Sequence, residues 1–246
     1  MNDPSMTSLA NHYGSDKGTE GPDLSWGSTS NYTDIYEAYL WPQRHDPIRL
    51  LEIGMGVAGD AWDARIVRGK NSGGGASIKM WADYFPRAHI YGIDVNAAPH
   101  LDTDRITTFV ADQSDTDDLG RVVEGAGSEP FDVIVDDGSH FHNHQQISFG
   151  YLFEHLKPGG LYFIEDISFT NDTRRVFNGY LRDGKFATPN FIDDDEAVAA
   201  SIDWVHFHAP ALMTDVKVRP SIRQPVRIRA KFRPDSERLC VIRKRD

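Results

Sequence analysis

Cysteine is nearly missing from this chain. Cys240 is the only one in 246 residues, which excludes an intramolecular disulfide framework and a cysteine-built metal site. Long apolar runs are missing too, and no stretch approaches the ~20 residues needed to cross a bilayer, so no membrane partner is expected. Met1-Asn2-Asp3-Pro4 has neither a basic n-region nor an apolar h-region, so no secretory signal is expected and cytoplasmic residence is the default. Basic charge is scarce: 26 Lys and Arg face 37 Asp and Glu, a formal net charge of −11 that argues against general nucleic-acid binding. Repeats and low-complexity stretches are absent as well. What is present, 39% hydrophobic and 11% aromatic residues, is enough for the core of one α/β domain with elaborations.

The charge is unevenly spread. Residues 217–246 hold 11 basic and 3 acidic side chains, a net +8, and the remainder carries a net −19. Such a segment can contact phosphates or anionic lipid, but its basic residues alternate with apolar ones as strands do. The favoured reading is a solvated β-arm on an acidic body, its own or another subunit's.

The densest information lies in Phe131-Asp132-Val133-Ile134-Val135-Asp136-Asp137-Gly138-Ser139-His140. A β-branched apolar run stops at two carboxylates, a glycine, a hydroxyl and an imidazole. Leu161-Tyr162-Phe163-Ile164-Glu165-Asp166 repeats the design. Buried parallel strands read as continuous apolar runs, and open α/β sheets bind ligands beyond the carboxyl ends of such strands. If the two strands are neighbours, Asp137 and Glu165-Asp166 lie ~5 Å apart. Clustered carboxylates repel unless a cation or proton separates them, and a hard divalent cation with oxygen ligands resolves the repulsion. His140 could then act as a base beside it. Asp136 and Asp137 are adjacent on a strand, point to opposite faces and should not share one role.

The remaining elements frame these two strands. Residues 1–30 read as loop-rich, with residues 1–40 forming an N-terminal lid or helical segment ahead of a domain spanning 41–246. Asn31–Leu40 has helical spacing, and Thr33 is placed to cap it. Strands are expected at Arg49–Gly54, His89–Val95, Ile106–Val110 and Phe131–Asp137, and helices at Ser77–Phe85 and His144–His155. A fifth strand follows Lys157-Pro158-Gly159-Gly160, then a helix at Asp172–Leu181 and late strands at Ile202–His208 and Leu239–Arg243. Residues 57–76 read as a long loop. Alternating β/α units followed by two late strands predict a mostly parallel sheet with an antiparallel edge.

Gly54-Met55-Gly56-Val57-Ala58-Gly59 fits G-x-G-x-x-G after a strand, and three readings are open. A dinucleotide-binding protein would open a helix at once and present an acid about 20 residues on. Here the first strand-end acid after the turn is Asp94, and a glycine-containing stretch intervenes. A nucleoside pocket of the S-adenosylmethionine type has an acid before the glycines (Glu52), an acid ending the second strand for the ribose hydroxyls (Asp94) and a polar pair after the third strand facing the adenine (Asp112 and Gln113). The remaining alternative is a structural turn that binds nothing.

The ordered blocks HYGSDKGT (12–19), NYTDIYEAYL (31–40), RLLEIGMG (49–56), SGGGASIKMWADYFPRAHIYGIDV (72–95), ADQSD (111–115), FDVIVDDGSH (131–140) and LKPGGLYFIED (156–166) give the chain a family likeness. Over residues 10–170 it resembles the metal-dependent deoxysugar O-methyltransferases of antibiotic biosynthesis, which methylate sugar hydroxyls of macrolides and rhamnosylated polyketides. The resemblance implies a Rossmann-like class I methyltransferase fold: a mostly parallel seven-stranded sheet with an antiparallel edge strand and helices on both faces. It implies S-adenosylmethionine and Mg²⁺ or another divalent cation as cofactors, with Asp137, Glu165 and Asp166 on the metal and His140 as catalytic base. The implied cofactor residues are Glu52, Gly54, Gly56, Ser77, Asp94, Asp112, Gln113 and Asp136. The implied partner is a small glycosylated natural product, and a homo-oligomer is the expected assembly. O-methylation of a catechol or another small diol is the alternative within the class, and a nucleotide-binding oxidoreductase or hydroxylase-type relative the alternative outside it.

Other candidates have plainer readings. His142 and His144 beside His140 suggest a zinc cluster, but two surface imidazoles are favoured. His206 and His208 share a strand face with Trp204, where lining an aglycone pocket competes with simple solvent exposure. Asp193-Asp194-Asp195-Glu196 reads as a solvated loop or a helix start.

Overall fold

A computed structural model of the chain describes residues 3–20, 30–57, 73–167, 172–187, 191–209 and 238–246. Its frame is one seven-stranded sheet. β1 (Arg49–Ile53), β2 (His89–Asp94), β3 (Ile106–Val110), β4 (Phe131–Asp136) and β5 (Leu156–Ile164) run parallel. β6 (Ile202–His208) and β7 (Leu239–Lys244) complete the order β3-β2-β1-β4-β5-β7-β6. β7 is antiparallel to both neighbours, so the reversed strand sits one place in from the margin and β6 forms the margin itself. β6 falls where alternation predicted it, β7 covers the expected strand at Leu239–Arg243 and one residue more, and the sheet is mostly parallel with an antiparallel edge region.

Strand residues alternate between two cores, as the pleat requires. Leu51, Ile53, Ile134 and Tyr162 face one side, where α4 (Thr116–Gly125), α5 (His142–Leu152), α6 (Asp172–Asp183) and α7 (Asp195–Ala200) add Val122, Phe149, Phe177 and Ala199. Leu50, Val133, Val135 and Phe163 face the other, where α1 (Met6–Tyr13), α2 (Thr33–Leu40) and α3 (Ala76–Tyr84) add Leu9, Tyr36 and Trp81. Helices therefore cover both faces.

Two details differ from the sequence reading, and a third lies mostly beyond the described residues. The stretch expected to be loop-rich contains α1, capped by Ser5, whose side chain accepts from the Ser8 amide, and closed by Gly14 at φ +70°. Thr33 does not cap α2. Tyr32 holds that position without a side-chain cap, and the buried Thr33 hydroxyl instead lies 2.8 Å from that of Thr7. The basic C-terminal segment falls mostly outside the described residues. Within them, Lys244 Nζ donates to the carbonyls of Phe153, Glu154 and Leu156, tying β7 to the end of α5.

The register decides where the chemistry can sit. Ile53, Asp136 and Ile164 are level across β1, β4 and β5. The ladder continues one step further, with Asp137 N donating to Ile53 O and Glu165 N to Asp136 O, each at 2.9 Å. Gly54, Asp137 and Glu165 thus emerge side by side at the carboxyl end of the sheet.

Phe149 is fully buried and meets Phe153, Tyr162, Phe177 and Phe186 ring to ring. Phe149→Ala should cost roughly 3–5 kcal/mol, read as a lower urea midpoint at unchanged slope.

Candidate active site

Two structures meet at the carboxyl ends of β1, β4 and β5. The first is a cavity of about 630 Å³ bordered by the glycine turn, the loop before α3 and the ends of β2, β3 and β4, a size suited to a small-molecule ligand. Asp94 organises the turn, since its carboxylate accepts from the amides of Met55 (3.1 Å), Val57 (3.2 Å) and Asn96 (3.0 Å). Gly54 has φ +86°, and a Cβ there would fall 2.1 Å from the Asp137 carbonyl oxygen, so only glycine lets β1 turn beside β4. Gly56 has φ +63°, and among the described residues nothing lies within 4 Å of a Cβ position, so its backbone faces the cavity. Gly75 N donates to Met55 O at 2.7 Å and closes the wall. Gly59, the third glycine of the motif, lies outside the described residues, as do residues 58–72 of the expected long loop.

Of the sequence-derived cofactor residues, Gly54, Gly56, Ser77, Asp94, Asp112 and Gln113 line this cavity. Asp112 is held by the amide and hydroxyl of Ser114, which keep its carboxyl below the usual range. Glu52 and Asp136 are fully buried behind the cavity. Ser77 Oγ donates to Glu52 at 2.8 Å. Asp136 accepts from Ser148 Oγ (2.6 Å) and from Gln113 Nε2 (3.1 Å), while Gln113 Oε1 accepts from the Ser139 amide at 2.7 Å. Asp136 is therefore joined through Gln113 to the turn that carries His140. Burial raises the Asp136 carboxyl, opposed by the Ser148 and Gln113 hydrogen bonds.

The second structure is the acid cluster. Asp137, His140 and Asp166 each offer a ligand atom, and these atoms lie within 4.8 Å of one another. His140 Nε2 is 3.7 Å from Asp166 Oδ2. His140 (φ +59°) and Asp166 (φ +54°) both hold left-handed backbone conformations, which non-glycine residues adopt at a cost and which cluster at functional sites. Glu165, expected beside Asp137 and Asp166, turns inward and is 2% exposed. It meets Lys17 Nζ at 2.8 Å and the Tyr36 hydroxyl at 2.5 Å. The Tyr32 hydroxyl donates to Asp166 at 2.8 Å. The Asp137 carboxylate lines the cavity and the partly exposed Asp166 carboxylate lies near it; both are hard oxygen donors that fit a cation retaining part of its water shell. His144 also lines the cavity, 2.9 Å from Ser139 Oγ, whereas His142 faces Asp172 at 3.7 Å; the three imidazoles do not converge.

Electrostatics bind the two structures together. The buried Lys17 ammonium contacts Asp137 and lies 2.8 Å from Glu165 and 3.6 Å from Glu52. Burial pushes the Glu52 carboxyl up to about 7 and that of Asp137 to about 6, with Lys17 opposing both shifts. Burial and Asp137 raise Glu165 well above the carboxylate range. Burial alone would lower Lys17, but Asp137, Glu165 and Glu52 together hold it well above the usual lysine value. The sequence reading gave no role to Lys17 and took Tyr32 and Tyr36 only for a helix face. The signal that was available is a lysine inside the glycine-rich HYGSDKGT block of an acid-rich chain.

No protein-family model matches the chain. It is 40% identical over 143 residues to the demethylmacrocin O-methyltransferase of Streptomyces fradiae, covering 58% of this chain and 33% of that protein. It is 36% identical over 209 residues to the L-olivosyl-oleandolide 3-O-methyltransferase of Streptomyces antibioticus, covering 83% and 46%. The chain thus matches less than half the length of either relative. Among solved structures, the MycE methyltransferase of the mycinamycin biosynthetic pathway, in complex with Mg, SAH and mycinamycin VI, superposes with a TM-score of 0.63 at 26% identity. That match spans 99% of this chain and 55% of the other.

Asp136→Ala would remove the acceptor that holds Gln113 Nε2 in the core, while Ser148 Oγ would keep the His144 carbonyl at 2.9 Å. The substitution should cost roughly 1–3 kcal/mol, measured by urea unfolding, and wild-type stability would show that Asp136 does not support Gln113.

Proposed function

We propose that this chain, which has the class I methyltransferase fold and whose homologues are sugar O-methyltransferases of antibiotic biosynthesis, transfers the methyl group of S-adenosylmethionine to a hydroxyl of a deoxysugar on a glycosylated natural product. The observation that carries this reading is the junction of the glycine-turn cavity with the Asp137–His140–Asp166 cluster, with His140 belonging to both.

The methyl group of a sulfonium is already activated, so the protein must mainly align it with a nucleophile. The exposed backbone of Gly56 lets a ligand approach the turn closely, and the Asp94 carboxylate, at the end of β2 on the same cavity, would accept from the hydroxyls of a ribose. Asp137 and Asp166 would hold the divalent cation, with Glu165 behind them. A bound divalent cation supplies acidification of a coordinated alcohol and direction to a chelating vicinal diol. His140 takes the hydroxyl proton on its imidazole as attack proceeds. Gln113, itself held by Asp136, accepts from the Ser139 amide and so steadies the turn that aims that ring.

The test is methyl transfer to deoxyhexosyl macrolide and polyketide acceptors with S-adenosylmethionine and Mg²⁺. EDTA should abolish turnover and Mg²⁺ should restore it; full activity after exhaustive chelation would contradict the metal assignment. His140→Ala should lower turnover by roughly 10²–10⁴-fold while leaving S-adenosylhomocysteine affinity unchanged in calorimetry. A near wild-type rate in that variant would remove His140 from the proton transfer. Asp94→Ala should weaken S-adenosylhomocysteine binding by roughly 1–3 kcal/mol, and unchanged affinity would remove Asp94 from the cofactor site.

A further inference from the structure

Lys17 is the member of the acid cluster to which methyl transfer assigns no part. It arrives from the segment after α1, whose described residues 14–20 are fastened. The Lys17 carbonyl accepts from the amides of Tyr32 (2.9 Å) and Thr33 (3.2 Å), and Asn11 Oδ1 accepts from those of Thr19 (2.9 Å) and Glu20 (3.0 Å). A Cβ on Gly18 would lie 2.2 Å from Asn11 Oδ1, so the loop packs against α1 without slack. The side chain is 0% exposed, and its ammonium reaches Asp137, Glu165 and Glu52 at once. Lysine is almost never fully buried unless paired, so this cation is placed and not incidental.

The charges around it are unbalanced. Glu52, Asp137, Glu165 and Asp166 carry four negative charges when ionised, and Lys17 returns one. A divalent cation and a sulfonium would return the other three. Lys17 and the metal then draw on the same carboxylate, that of Asp137, where like charges repel strongly in a site of low polarity.

We propose that Lys17 is a resident counter-cation that shares Asp137 with the divalent metal and neutralises Glu165 behind it. It keeps the carboxylates assembled when the metal is away and weakens the metal's hold when it is present. The inference rests on the metal site of the methyl-transfer reading.

The full chain with Lys17→Met, Lys17→Gln and Lys17→Arg is compared with wild type in two measurements: calorimetric Mg²⁺ titration with Mn²⁺ resonance as a second probe, and thermal unfolding in EDTA. Both neutral variants should bind metal roughly tenfold or more tightly than wild type. They should melt earlier in EDTA and recover in saturating Mg²⁺, and Lys17→Arg should stay near wild type. Wild-type or weaker metal affinity in the neutral variants, beside a wild type that binds, overturns this inference and leaves the methyl-transfer reading intact. Metal binding by neither wild type nor any variant overturns both. Failure of both neutral variants to fold at any Mg²⁺ concentration also overturns it, because the metal would then be unable to replace the ammonium.

Discussion

The ammonium of Lys17 lies in the midst of carboxylates from three neighbouring strands, and the site's geometry follows from keeping those acids together away from water. Register alone brings Gly54, Asp137 and Glu165 out at one level. Without a cation, burial would drive each acid towards its neutral form, as the raised values of Glu52 and Asp137 display. The N-terminal segment supplies that cation and adds two hydroxyls, Tyr36 on Glu165 and Tyr32 on Asp166. Its side chains also join the core cluster of α3 and the strands, so the segment that balances the charge is the one that covers that face of the sheet.

β4 divides its labour between its two faces. Asp137 looks towards Lys17 and His140, and Asp136 towards Gln113 and Ser148. One face gathers charge for chemistry, and the other uses a buried carboxylate as a fixed acceptor that orders the next turn. Gly138 belongs to the same device, since a Cβ there would meet Gln113 Oε1 at 2.0 Å.

The framework was legible because its signals are local. Apolar runs ending in acids marked β4 and β5, alternation marked β6 within its observed bounds, and the glycine turn marked the cavity. Period two also separated Asp136 from Asp137. What escaped was non-local. Nothing near Lys17 in sequence shows that its partners stand 120 and 148 positions away at Asp137 and Glu165, and the inward turn of Glu165 depends on that partner. α1 was hidden because its cap and its terminal glycine lie in a stretch whose composition resembles a loop. Gln113 was assigned to the ligand by its position after β3, yet its amide is also engaged by Asp136 and Ser139, a choice only packing reveals.

The place of β7 in the sheet has a consequence for folding. β5 and β6 are joined only through a strand that begins at Leu239, beyond both in the chain. The outer backbone groups of β5 stay uncovered until β7, about as far along the chain from β5 as β4 is from β1, pairs with them. An apolar strand such as Leu161–Ile164 with an open edge is a template for pairing with another chain. Until β7 pairs, β5 offers that edge to a second chain, so the last strand of the sequence also shields the sheet from self-association.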